Sequence, residues 1–142
     1  MKKFPEKFDI IVANPPYSKF LHLKFLMKAY DLATEDVLFV HPSSSYIDTK
    51  GKLKLYKTVN DKIEKNLKSI SLFNGNPIFN IGLFKPCSVT HIDKSYEEPG
   101  FILDNKLTGI SEMVPSINRV TIFGNRKEFW SIYEKVMNYK ND

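Results

Sequence analysis

The chemistry in this sequence is concentrated in one short stretch, Asn14-Pro15-Pro16-Tyr17. Asparagine offers a side-chain carbonyl acceptor beside an amide donor. The two prolines fix the backbone and have no N–H to satisfy, so their carbonyls stay free. Such a turn aims two acceptors, the Asn14 side-chain oxygen and a backbone carbonyl, at one amino group. Tyr17 adds an aromatic face, and stacking of a base on an aromatic ring is worth about 1–3 kcal/mol. That stacking needs the ring rather than the hydroxyl. An exocyclic amine on a planar ring fits all three features. Asn-Pro-Pro is also a serviceable turn, and a tyrosine after a turn is commonly a packing residue. The strand context decides between the two readings, because these four residues follow directly on the apolar run Phe8–Ala13.

That run is continuously apolar after Asp9, the pattern of a strand covered on both faces in a parallel sheet. Residues Lys19–Ala33 place Leu23, Leu26, Met27, Tyr30 and Ala33 at helical spacing, which predicts an amphipathic crossover helix in which Phe25 and Met27 read as core. Val37–Val40 reads as a second buried strand ending in the loop His41-Pro42-Ser43-Ser44-Ser45-Tyr46. A second crossover helix follows over Gly51–Leu67, with Leu53, Tyr56, Val59, Ile63 and Leu67 as one stripe. Its lysines form a solvated face or meet phosphates. Ser69–Phe73 and Pro86–Ile92 predict a hairpin-like pair at a sheet edge, since the turn formers between them leave no room for another helix. Residues 95–118 read as loop, and a terminal strand over Arg119–Phe123 and a helix from about Lys127 to residue 140 close the chain. The expected architecture is α/β: one domain over 1–142 with its core at about 8–93, a partial Rossmann-like sheet with helices on both faces and an antiparallel return at one edge. In such sheets ligands bind beyond the carboxyl ends of the strands. If the first two strands are neighbours, as the crossover rule favours, Asn14–Ser18 and His41–Tyr46 line one crevice. Ser18, His41, Ser43 and Ser44 are then candidate substrate contacts. A histidine after a strand is more often a solvated loop residue, and the serines read equally as groups that satisfy their own turn.

A strand running into Asn-Pro-Pro-Tyr, then a helix, a strand ending in Pro-Ser-Ser and a hairpin-like return resembles the catalytic half of adenine-N6 DNA methyltransferases, including those of restriction-modification systems. The resemblance spans about Phe8–Asp93 and is strongest over Phe8–Tyr17. It implies S-adenosylmethionine as methyl donor and a target adenine flipped out of the duplex. It further implies that Asn14 Oδ1 and the Pro15 carbonyl accept hydrogen bonds from the adenine amine, orienting its lone pair toward the donor methyl. Pro16 stiffens the turn, and Tyr17 stacks on the base. The catalytic set it implies is Asn14, Pro15, Pro16 and Tyr17, with Asn14 also bordering the donor. No metal, nucleophilic cysteine or triad is called for. Related methyltransferases acting on protein glutamine or RNA share the motif, and a non-catalytic nucleic-acid-binding remnant is the reading from a different class.

The donor-binding half is not legible. Such an enzyme also needs a Gly-rich loop after another strand. The sequence contains no GxG, and VTIFGNRKEF near the C-terminus has the shape but a single glycine. The chain reads as a truncated or split enzyme whose partners are DNA and a separate polypeptide carrying the donor half. A net charge of +5 and a pI near 9.2 are compatible with a polyanionic partner. The apolar runs are far shorter than the roughly 20 residues of a membrane span, and the N-terminus lacks a signal-peptide core, so a cytoplasmic location is expected. The lone Cys87 has no CxxC or His/Cys cluster near it and reads as a core residue.

Overall fold

The computed structural model describes residues 6–46, 54–80 and 86–120, together with Ser131, Ile132, Lys135 and Val136. The chain runs through β1 (Phe8–Ala13), a 3-10 turn (Ser18–Phe20), α1 (Leu21–Leu32), β2 (Ala33–Pro42), a second 3-10 turn (Ser43–Ser45) and α2 (Lys54–Ile63). It continues through a third 3-10 turn (Glu64–Asn66), β3 (Leu67–Asn74), the single-turn helix α3 (Asn76–Phe79), β4 (Pro86–Asp93), β5 (Phe101–Asn105), β6 (Ile110–Val114) and a last 3-10 turn (Ile117–Arg119).

The strands form one six-stranded mixed sheet in the order β1-β2-β4-β3-β5-β6. β1 and β2 pair in parallel, with Ile11 opposite Val37 and Ala13 opposite Phe39. β4 lies antiparallel between β2 and β3, and β5 is parallel to β3. The carboxyl ends of β1, β2, β3 and β5 therefore share one edge of the sheet. The expected α/β architecture with an antiparallel return is present. The sheet continues two strands beyond that return, so the return occupies its middle.

Alternation along the strands makes the core. Val37, Phe39, Ile70, Leu72, Ile92, Phe101 and Leu103 are fully buried, and α1 and α2 cover that face with Leu23, Leu26, Val59 and Ile63. Fully burying one such side chain stabilises by about 1.5–3 kcal/mol. The two helices touch through the Lys62–Asp31 ion pair at 2.7 Å, and their flanking turns add to the contact: the Tyr30 hydroxyl donates to Asn66 Oδ1 at 2.8 Å, and Phe20 meets Tyr56 edge-on with centroids 5.8 Å apart.

Several expectations need correcting. β2 begins at Ala33, four residues before the apolar run, with no loop after α1. Thr34, Glu35 and Asp36 disguise this start, but backbone pairing places them in the sheet: Asp36 lies opposite Asp93, and Lys94 N–H donates to Glu35 O at 2.8 Å. α1 begins two residues later than expected, because Lys19 and Phe20 adopt left-handed φ of 50° and 60°, a conformation costing an L-residue roughly 1–2 kcal/mol. α2 is shorter than the stripe over Gly51–Leu67 implied, and the first three residues of that stripe lie outside the described set. Residues 95–118 are not a loop, since they contain the hairpin β5–β6. Two glycines make it possible. Gly109 turns the hairpin at φ +73°, and Gly100 at φ +88° leads into β5 where a Cβ would stand 2.4 Å from Val114 O. Ile117–Arg119 forms a 3-10 turn where a strand was expected to start. Residues 121–123 of that strand and most of the terminal helix lie outside the described residues, with Ser131, Ile132, Lys135 and Val136 helical.

Candidate active site

β1 ends at Ala13 and delivers Asn14-Pro15-Pro16-Tyr17 to the shared carboxyl edge. Pro15 is buried and anchors the turn, while Asn14 and Pro16 are exposed and Tyr17 is half-buried. The Tyr17 hydroxyl donates to Asn14 Oδ1 at 2.9 Å. This bond fixes the carboxamide oxygen and leaves a second lone pair free. The Tyr17 and His22 rings meet edge to face, with centroids 5.9 Å apart and planes at 79°. Its burial, followed by the neighbouring Cys87, raises the phenol pKa above its ordinary value, so the ring remains a neutral surface. Ser18 is exposed and opens the 3-10 turn that carries the two left-handed residues.

The second loop begins where β2 ends. His41 was expected at the mouth of this loop. It belongs to β2, opposite Ser88, and is 0% exposed. Its Nδ1 lies 3.1 Å from Ser45 Oγ, and its Nε2 lies 2.7 Å from Thr90 Oγ1 and 3.2 Å from the Tyr46 hydroxyl. With both nitrogens engaged, His41 supports the loop and does not face a ligand in this structure. Burial, reinforced by the nearby His22, pushes its pKa down to about 3 against a slight opposing effect of the Pro42 backbone. Ser43 is also buried, whereas Ser44 is exposed. Of the serines proposed as contacts, Ser44 is therefore the accessible one. The structure brings Asn14, Tyr17, Ser18 and Ser44 to one edge and withdraws His41 and Ser43 beneath it.

Sequence reasoning overlooked His22, which sat on the apolar face of a helix and carried no motif. It is buried, its Nε2 stands 3.3 Å from Ser45 Oγ, and its Nδ1 has no hydrogen-bond partner. The two imidazoles lie nearly parallel, with centroids 5.9 Å apart. Cys87, at the start of β4 opposite Pro42 and Phe73, is buried beneath this edge.

The described residues offer no Gly-rich cradle for a donor such as S-adenosylmethionine. Gly100 and Gly109, the two glycines with positive φ among them, serve the β5–β6 hairpin, and no glycine stands in the described turns 14–20 after β1 and 43–46 after β2 to let a backbone approach a nucleotide. Among the described residues there is also no group of three His, Cys, Asp or Glu side chains that could hold a metal, and no helix long and apolar enough to cross a membrane.

A mixed sheet with this order, presenting the Asn-Pro-Pro-Tyr turn at the carboxyl ends of its parallel strands, is similar in fold to subunits of type I restriction-modification systems. The crystal structure of the type I restriction-modification system methyltransferase subunit from Streptococcus thermophilus matches with a TM-score of 0.56 and 14% identity, over 93% of this chain and 32% of that one. A chain from a structure addressing complex assembly and conformational transition of the type I system matches with a TM-score of 0.54 and 15% identity, over 96% of this chain and 31% of its own. The chain thus spans about a third of the length of these structures. No family model and no curated protein matches it in sequence.

Proposed function

We propose that this chain is the adenine-recognising part of a DNA adenine-N6 methyltransferase of the restriction-modification kind. The observation that carries the reading is the Asn14–Tyr17 pair, a fixed amide oxygen beside an aromatic ring on an exposed turn at the carboxyl edge. The likeness of fold to methyltransferase subunits supports it.

In this reading Asn14 Oδ1 and the Pro15 carbonyl accept the two N–H bonds of an adenine amine, holding the nitrogen in one orientation, while the Tyr17 ring stacks on the base and excludes water from one face. Pro16 keeps the turn stiff. Ser18 and Ser44, both exposed at the same edge, hydrogen-bond the flanking phosphodiester backbone. S-adenosylmethionine supplies the methyl group. It is held by residues outside those described, on a separate polypeptide or on further chain, because the residues described above make no cradle for it. That segment pairs a strand with β1, whose only sheet neighbour among the described residues is β2, and covers Ile10 and Val12, which are 56% and 72% exposed.

The test is recognition of the amine by the chain alone. Single-stranded oligonucleotides carrying either adenine or purine, which lacks the 6-amino group, are titrated against isotope-labelled protein. The Asn14 side-chain amide and the Tyr17 ring resonances are expected to shift with adenine and about tenfold less with purine, in line with two hydrogen bonds at roughly 0.5–1.5 kcal/mol each. Equal responses to the two bases would overturn the assignment.

A further inference from the structure

Beneath the exposed turn lies a closed set of polar side chains that base recognition does not use. His22, His41, Ser45 and Thr90 are buried beneath the carboxyl edge of the sheet, together with Tyr46. Ser45 Oγ stands between the two imidazoles, 3.3 Å from His22 Nε2 and 3.1 Å from His41 Nδ1. The chain continues from His41 Nε2 to Thr90 Oγ1 at 2.7 Å, and Thr90 bonds the Tyr46 hydroxyl. Asn60 on α2 donates from Nδ2 to Ser45 O at 3.3 Å, so the Ser43–Ser45 turn is held from three directions. At the outer end the His22 and Tyr17 rings meet edge to face.

This set ties the turn after β1 to the turn after β2. A group at position 22 has to offer a flat ring to Tyr17, a hydrogen-bonding atom to Ser45, and no net charge in a site without counter-ions. Phenylalanine meets the first and third requirements, glutamine the second and third, and lysine or aspartate would bury an unpaired charge. Neutral imidazole meets all three. Among the described residues, the titratable groups that reach the pair are Tyr17, Tyr46 and the histidines themselves, and no carboxylate or lysine is among the causes that hold either imidazole neutral. His22 Nδ1 has no partner at good hydrogen-bond geometry; burial holds the ring below its ordinary pKa, while the Tyr17 backbone favours the protonated form.

We propose that His22, linked through Ser45 to His41, is the positioning residue that presents the Tyr17 face and keeps it in register with the turn after β2. The inference rests on the reading of Tyr17 as the base-facing residue, but its test needs neither donor nor DNA. Tyrosine and histidine rings are isotope-labelled in the full chain, and their resonances are followed by NMR from neutral to acid pH in wild type, His22→Gln and His22→Phe. In wild type the Tyr17 ring is expected to shift with the same midpoint as His22. His22→Gln, which can still reach Ser45, should keep one sharp set of Tyr17 resonances, whereas His22→Phe, which keeps only the packing, should broaden or split them. Wild-type-like Tyr17 resonances in His22→Phe would reduce His22 to packing and overturn the proposal. Where a variant does not fold, the wild-type titration decides alone, since a Tyr17 ring indifferent to protonation of His22 would also overturn it. Failure of adenine recognition with the His22–Tyr17 coupling intact would count against the adenine reading and leave the coupling standing.

Discussion

The Tyr17 hydroxyl donates to Asn14 Oδ1 at 2.9 Å, so the two residues proposed to face a base also hold each other. The bond takes one lone pair of the carboxamide oxygen and pins its direction before any ligand arrives. Pre-orientation of this kind lowers the ordering cost of binding.

Tyr17→Phe keeps the stacking face and frees the carboxamide. In an assembly that methylates adenine, turnover should fall several-fold, consistent with one hydrogen bond of roughly 0.5–1.5 kcal/mol. The fluorescence of 2-aminopurine at the target position, which reports base extrusion, should be unchanged. Tyr17→Ala should lower both signals. Wild-type turnover in Tyr17→Phe would mean that the hydroxyl bond plays no part in orienting Asn14.

His41 makes stability pH-dependent. Its pKa lies near 6.5 when unfolded and is depressed to about 3 in the fold. Between those values the unfolded chain binds a proton that the folded chain refuses, so stability falls with falling pH, by at most about 1.4 kcal/mol per unit from this group. Above pH 6.5 it contributes no slope. Urea unfolding at pH 7, 6 and 5 should show the decline, and a His41→Gln variant should be less stable at pH 7 but decline less steeply. Parallel curves for the two proteins would show that His41 is not the source.

Gly100 admits no side chain. Its φ is +88° and a Cβ would stand 2.4 Å from Val114 O, a backbone atom that cannot step aside. Gly100→Ala should cost at least about 2 kcal/mol in chemical denaturation. Gly109 has nothing within 4 Å of a Cβ, so Gly109→Ala should cost less, through its φ of +73° alone. Equal losses at the two sites would contradict the steric account.

Among the described residues β1 has a sheet neighbour on one flank alone, and with Ile10 and Val12 exposed this strand is a site for unwanted pairing. Val12→Lys should reduce self-association in sedimentation velocity while shifting unfolding by no more than about 0.5 kcal/mol. Unchanged self-association would place the contact elsewhere.

The legible parts of the molecule were those where pattern and partner are local. The run Phe8–Ala13, the stripes of α1 and α2 and the pair β3–β4 each carry their period in their own residues. The polar start of β2 was hidden because Thr34–Asp36 enter the sheet through backbone bonds to β1 and β4, which no side-chain period records. The β5–β6 hairpin was hidden because it depends on two glycines of positive φ and on pairing with β3, a strand about 30 residues away. In the site, Asn14 and Tyr17 stood out by residue type and fell where expected. His41 was misplaced by a one-position ambiguity: the strand runs to Pro42, and alternation turns residue 41 inward. The role proposed for His22 was hidden because its contact with Ser45 spans 23 positions of sequence.

The most direct measurement of the central claim is the identity of the methylated product. The chain, isolated within its native assembly, is supplied with S-adenosylmethionine labelled in the methyl group and with duplex DNA, and the DNA is then digested to nucleosides. The label is expected in N6-methyladenine and should fall by orders of magnitude with Asn14→Ala, while DNA affinity, set mainly by phosphate contacts, stays nearly constant. Label in another nucleoside or in protein, or undiminished N6-methyladenine from Asn14→Ala, would contradict the account.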